Sequence, residues 1–363
     1  MPKTPTTGPA SPRRRPPTLA AGLAAFALLG AAATSAAQPP TTRTGEVIPR
    51  DVREMYDRGL QYLAASQTEQ GDWASSGYNN GPGPVGMALL AFLASGEDPN
   101  FGPYAGHVRK ALRKLISAQN ADTGIMGSSM YDHGFATLGL AEAYGAVDER
   151  NLWPGPKGPQ QRSIGVALEL AARAAVTSQK KNPTGAWRYS PGATDADTSV
   201  SGAVLVGLLA ARNAGVEVPD DAINKAISYY QSMTSKPSGF VAYAGGMGGF
   251  GDSLARSSIA TLVYAVARRK DLPEFKATLG HLKERLEEPA QMYPEYCRYY
   301  QAQALFQGDT AAWEKWNKLL VRQLKQAQQA DGSIRGQFGP AIDTSMSLLA
   351  LALNYRFLPI YER

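Results

Sequence analysis

The stretch Arg58–Trp73 reads RGLQYLAASQTEQGDW. Leu60, Leu63 and Ala64 fall on one face of a helix, which makes it amphipathic. The helix breaks at Gln67, and the chain runs on through Gly71 to Trp73. Related breaks follow: QNADTGIM at Gln119–Met126, QKKNPTGAW at Gln179–Trp187, TSKPSGFV at Thr234–Val241 and QQADGSI at Gln328–Ile334. Their glycines stand at 71, 124, 185, 239 and 332, in steps of 53, 61, 54 and 93 residues. The long last step leaves room for one degenerate unit, Phe275–Asp309. Recurrence in phase is the mark of a repeat architecture.

Each break follows a charged amphipathic segment: 51–66, 106–118, 162–178, 220–233, 275–287 and 311–327. Each precedes a second segment of different character, from PVGMALLAFLASG (84–96) to TSMSLLALALNYRF (344–357). The second set is apolar nearly all round, so it is buried on every side. Six outer and six inner helices in alternation predict an all-α fold, an α6/α6 toroid. An open solenoid is the competitor. The ring is preferred because the last inner segment, AIDTSMSLLALALNYR (341–356), has no polar capping face.

Position by position, Arg58-Gly59, Tyr62-Leu63, Gln67, Gly71 and Trp73 resemble the QW repeat of squalene and hopene cyclases. Weaker copies carry Lys110-Ala111, Leu115, Gln119 and Gly124, then Lys225-Ala226, Tyr229-Tyr230 and Gly239. Gln179, Gly185 and Trp187 keep the end of the motif. Residues 51–363 therefore resemble prenyltransferase and squalene-oxidase repeat proteins, which implies the terpenoid-cyclase-like α/α toroid. The physics of the motif is local. Gln sits where helix carbonyls lack partners and can reach the neighbouring unit. Gly permits the positive-φ turn that stops the helix. Trp covers the helix end with a large flat area.

The N-terminus reads differently. SPRRRPP precedes TLAAGLAAFALLGAAATSAA, the outline of an export signal over residues 1–37, cut after Ala37. An uncleaved membrane anchor is the alternative. Residues 38–50 form a Pro/Thr-rich linker, and residues 51–363 the toroid domain. Arg13-Arg14 leaves the Sec and Tat routes both open. The net charge is +6, and residues 1–50 hold six basic side chains against Glu46 alone, so the folded part carries only +1. That excludes an electrostatic case for nucleic acid. Cys297 is the single cysteine, so there is no internal disulfide.

In such a ring the inner helices run parallel and their N-termini share one mouth. Tyr131-Asp132-His133, Asp195-Ala196-Asp197-Thr198, Gly251-Asp252-Ser253, Tyr293-Pro294-Glu295-Tyr296 and Ile342-Asp343-Thr344-Ser345 open five of them. The first opens with Asn79 and Asn80. Acids and small polar residues cap helices, so the plain reading of each is structural. The functional reading is a polar rim over an apolar shaft, with Tyr131, Asp132, His133, Asp252, Arg256, Tyr296, Arg298 and Asp343 contacting a ligand that has a polar head and an apolar body. Asp195-Ala196-Asp197-Thr198 resembles the Asp-x-Asp-Asp motif of class II terpene cyclases, with Thr198 in place of the last acid. The resemblance implies Asp197 as proton donor and Asp195 as its partner.

Protein prenyltransferase β-subunits are single-toroid relatives, and Gly245–Asp252 resembles their glycine-rich turn. Their zinc needs Asp, Cys and His, and AIDTSMS lacks the histidine expected there, so no metal is assigned. His107 and His281 are expected on outer helices, facing solvent. No phosphate loop, dinucleotide fingerprint or nucleophile elbow occurs, so no cofactor is expected. Three functions stay open, and with them whether the chain is an enzyme. The first is an exported toroid with a central apolar cavity for an isoprenoid or similar lipid, met at a membrane surface. The second is a non-enzymatic scaffold of the cell envelope, whose protein partner is not legible. The third is a carbohydrate-active barrel using Trp187, Tyr189, Tyr293 and Tyr296.

Overall fold

Helices with one wet face alternate with helices buried all round, and the chain winds them into two concentric rings. The structure is a computed structural model that describes residues 48–73, 81–155, 158, 161–245, 251–290, 292–355 and 358–362. The expected export signal, most of the linker, Asn79, Asn80 and residues 246–250 of the glycine-rich turn lie outside the described residues. One compact unit spans Val47–Arg363.

The outer helices are α1 (Arg50–Ser66), α3 (Ala105–Ser117), α5 (Ile164–Lys181), α7 (Asp220–Ser232), α9 (Pro273–Lys283) and α11 (Thr310–Ala327). The inner helices are α2 (Pro82–Leu93), α4 (Met130–Ala143), α6 (Thr198–Asn213), α8 (Leu254–Val266), α10 (Pro294–Gly308) and α12 (Pro340–Ala352). A short α13 (Pro359–Glu362) follows, and no strand occurs among the described residues. Every residue of α6 from Val200 to Ala211 is buried, whereas α1 buries only Val52, Met55, Tyr56, Gly59, Leu60 and Leu63. Each inner helix packs on the next, and α12 packs back on α2. The ring is therefore closed: the fold is an all-α, α6/α6 toroid.

Glutamines tie the units. Gln67 Nε2 donates to the Gly71 carbonyl at 3.3 Å and to the His107 carbonyl, on α3, at 3.1 Å. Gln119 does the same to Gly124 at 3.1 Å and Ala167 on α5 at 2.8 Å. Gln179 reaches Gly185 at 2.7 Å and Ala222 on α7 at 2.8 Å. Gln328 reaches Gly332 at 3.0 Å and Met55 on α1 at 2.8 Å, which joins the last unit to the first. Trp73 and Trp187 donate their indole N–H to the carbonyls of Leu63 and Ala175, each four residues before its glutamine, at 2.8 and 2.9 Å. The five turn glycines all have positive φ, from +69° to +89°. In the degenerate fifth unit Tyr293 takes the left-handed conformation itself, at φ 51°.

Gln179 is the most buried of these glutamines, at 3% exposure. Gln179→Ala orphans two buried carbonyls and should cost about 2 kcal/mol. Denaturant unfolding measures it; a loss of a few tenths would mean that water replaces the amide.

Candidate functional site at the mouth of the ring

Inner helices α4 and α10 stand opposite each other in a six-membered ring, and their first turns meet. Tyr131 Oη and Tyr296 Oη are 3.0 Å apart. One turn deeper, the Phe135 and Tyr299 rings meet edge to face at 6.4 Å. Aromatic rings thus bridge the axis along one diameter, where an open apolar shaft was expected. The reason is size: Tyr131 and Phe135 on α4 and Tyr296 and Tyr299 on α10 are long enough to meet across the ring. Two open pockets lie off the axis. One of about 420 Å³ is lined by Ser238, Phe240, Asp252, His281 and Arg285. One of about 710 Å³ lies where α2, α4 and α6 end, beside Leu358.

Asp197 is fully buried at the start of α6. Its Oδ1 accepts from the Val200 N–H at 2.8 Å and so caps the helix. Backbone from two neighbouring turns holds it: Asp197 N donates to the Trp187 carbonyl at 3.1 Å, and Thr198 N to the Tyr243 carbonyl at 2.9 Å. Its Oδ2 makes no hydrogen bond and lies 3.4 Å from Arg188 Nε. Burial pushes its pKa up to about 6, with the Val200 N–H and the Arg188 charge acting against the rise. Asp195 is exposed, and its Oδ2 pairs with Arg188 Nη1 at 2.9 Å. Arg188 also lies 5.8 and 5.6 Å from the ring centres of Tyr189 and Tyr243, whose hydroxyls are 3.0 Å apart. Arg188 follows Trp187 directly in the sequence, and the clasp reading of that tryptophan concealed it.

Across the mouth, Asp343 in α12 is fully buried. Its Oδ2 accepts from the Gly336 N–H at 2.8 Å. Burial, then the Glu295 charge, push its pKa up to about 6, while N–H groups of Gly336, Phe338 and Gly339 oppose the rise. Arg298 Nη1 lies 3.5 Å from Glu295 Oε1. Asp132 Oδ1 accepts from the Gly83 N–H at 3.1 Å, tying α4 to the start of α2, and burial raises its pKa.

Three of the expected ligand contacts lie elsewhere. His133 is fully buried between backbone groups: its Nδ1 accepts from the Met126 N–H at 3.1 Å and its Nε2 faces the Ala171 carbonyl at 3.0 Å. Burial lowers its pKa to about 4, so it is a neutral strut. Asp252 turns outward, because Ser253 caps α8 instead. Asp252 binds His281 Nε2 at 3.1 Å and pairs with Arg285 on α9. Arg256 donates to the carbonyls of Val241 and Gly251 and so braces its own loop. Two other expectations change. Trp187 is 1% exposed and offers no platform. His281 is buried, and His107 Nδ1 lies 2.7 Å from Gln67 Oε1, so neither is a free surface histidine. Cys297 is buried, which pushes its thiol up to about 12 and leaves it inert.

The rim therefore gathers exposed Tyr189 and Tyr293, partly buried Tyr131, Tyr243 and Phe338, the acids Asp195, Asp197, Glu295 and Asp343, and the cations Arg188 and Arg298. Tyr293 stacks on Phe338 with centroids 5.0 Å apart.

No family model and no curated protein matches the chain in sequence. Solved structures do match in fold. A variant of type II terpene cyclase MstE from Scytonema, in complex with its substrate geranylgeranyl dihydroxybenzoate, is similar at TM-score 0.55 and 16% identity, over 85% of this chain and 98% of that one. An α-amylase from Clostridium perfringens is similar at TM-score 0.58 and 10% identity, over 85% and 99%. A possible GH105 family member from Klebsiella pneumoniae is similar at 0.53 and 12%, over 86% and 94%.

Proposed function

We propose that the chain binds a saccharide at the rim of the ring and acts on it through the carboxyl groups there. The carrying observation is the Tyr131–Tyr296 bridge. With that diameter of the axis filled, a ligand meets the rim, and the rim is flat aromatic faces interleaved with charged hydrogen-bonding groups. Sugars are recognised by that combination, ring face on aromatic face with hydroxyls to carboxylate and guanidinium. Tyr189 is 46% and Tyr293 38% exposed, so both offer ring surface to a sugar, Tyr293 on the side away from Phe338. The α-amylase and the GH105 member house carbohydrate chemistry in the same fold.

A second reading takes an isoprenoid or similar lipid, as MstE takes geranylgeranyl dihydroxybenzoate. The observation that favours it is Asp197: a buried acid with one oxygen that makes no hydrogen bond, in the segment that resembles the class II proton donor. In both readings the chain is exported and begins at Gln38, which N-terminal sequencing of the mature protein tests.

Affinity electrophoresis against a panel of soluble polysaccharides decides the main reading. One polysaccharide should retard the protein, and Tyr189→Ala or Tyr293→Ala should each weaken retardation about tenfold, the worth of one stacked ring. Retardation by none, with an isoprenoid found by mass spectrometry of the extracted protein, would establish the second reading. Neither ligand would leave the scaffold function.

A further inference from the structure

Glu295 and Asp343 stand in the first turns of neighbouring inner helices. They are 5% and 0% exposed. Each has one engaged oxygen, on Arg298 and on the Gly336 N–H respectively. The other two, Glu295 Oε2 and Asp343 Oδ1, have no hydrogen-bond partner. A Cβ placed on Gly336 would stand 2.8 Å from Glu295 Cδ and 3.0 Å from Asp343 Cγ, so the carboxyl groups are neighbours beneath one glycine. Gly336 itself is exposed. The two unpartnered oxygens lie closed off beneath it, one glycine away from the rim.

Buried oxygens without a donor are costly, and two like charges this close are costlier. One proton between them relieves both, because it supplies a donor and removes a charge. Among the described residues no other side chain does so. Arg298 reaches only Glu295 Oε1, and Arg335 is held by Asp331. Asp132 is bound to Gly83, and Arg256 to Val241 and Gly251. The buried faces of α1, α2 and α11 carry no charged residue, and on α9 Glu274 pairs with Lys236 and His281 with Asp252.

We propose that Glu295 and Asp343 share one proton and form the acid of the rim, giving it to a glycosidic oxygen of a saccharide seated on the Tyr293–Phe338 stack. The proposal rests on the saccharide reading for its ligand. In the step, the C–O bond breaks as the bridging oxygen takes the proton. Water adds to the sugar carbon, and the proton water sheds returns to the pair. The raised pKa of Asp343 agrees with a carboxyl that holds a proton into the weakly acid range.

The test is infrared titration of the carboxyl C=O band in the whole chain, in an Asp197→Asn background that removes the other acid titrating near pH 6 while keeping its cap oxygen. One protonated carboxyl should remain and disappear near pH 6. Asp343→Asn should abolish it, and Glu295→Gln should shift its midpoint down by a unit or more. Gly336→Ala, whose methyl displaces the Glu295 carboxyl, should act like Glu295→Gln. A midpoint unchanged in Glu295→Gln overturns the shared proton. A retarding polysaccharide, once identified, should perturb the same band; a band indifferent to it overturns the pair's role as acid. Absence of any retarding polysaccharide fails the saccharide reading instead, with the titration still decisive for the pair.

Discussion

Gly332→Ala should cost about 3 kcal/mol or more in denaturant unfolding, among the largest losses that one methyl group can cause in this chain. Gly332 has φ +88° and sits at the seam where α11 meets α1. The left-handed backbone alone costs a non-glycine residue about 1–2 kcal/mol. The added methyl would also overlap the Arg58 carbonyl oxygen and stand 2.8 Å from the Arg58 carbon. Backbone cannot step aside as a side-chain tip can. The same turn carries the Gln328 bonds to Met55 and Gly332, and Arg58 Nη2 donates to the Gln329 carbonyl at 2.6 Å. Displacing the turn therefore loosens several bonds at once. The control is Gly280→Ala, in α9: an added Cβ there meets nothing within 4 Å, so helix propensity should make it stabilising by roughly 0.5–1 kcal/mol. A loss under 1 kcal/mol at Gly332 would show that the ring does not depend on this seam.

The same seam explains why so much of the fold is legible in the sequence. Gln67, Gly71 and Trp73 act within a few residues of one another and on the next outer helix, so their spacing survives in the chain as a pattern. Apolar inner segments such as 199–215 declare burial by composition. Closure was legible too, because 341–356 lacks a wet face and needs a neighbour on each side. What the pattern could not carry is what crosses the ring. Tyr131 and Tyr296 are 165 residues apart and meet only because α4 and α10 are opposite members of six. From sequence they read as rim residues above a shaft; in space they bridge it.

The acids divide along the same line. Asp197 and Asp343 sit at helix starts, where both capping and function predict an acid, and local sequence cannot tell the two apart. Asp197 does both: one oxygen caps, the other makes no hydrogen bond and faces Arg188. Asp252 and His133 read the same way in sequence but were diverted. Ser253 took over the cap, which released Asp252 to α9. The tight approach of Gly134 to the α6 backbone at Ala203 seats the His133 turn deep in the wall. Gly336 carried no signal at all in SIRGQFG, because its role depends on two carboxyls brought beneath it from other helices.

Asp343→Asn should leave stability unchanged at pH 4 and raise it by about 3 kcal/mol at pH 7.5. The sign follows from linkage. The folded pKa of Asp343 is about 6, against 3.8 in the open chain. A raised acid favours the folded state fully below the unfolded pKa and loses that contribution as pH rises through the folded one. The loss therefore falls between about pH 4 and pH 6, and two pKa units correspond to about 3 kcal/mol. Asp343 is fully buried, so solvent screening does not reduce this greatly. An amide at position 343 does not ionise. Its oxygen can keep the Gly336 N–H, and its NH₂ can donate to Glu295 Oε2, which has no partner in the wild type. At pH 4 the wild-type carboxyl is already neutral and the two proteins should match. Denaturant midpoints at the two pH values decide it. Equal stabilities at pH 7.5 would mean that Asp343 ionises without penalty, and the reason for a proton on the pair would go with it.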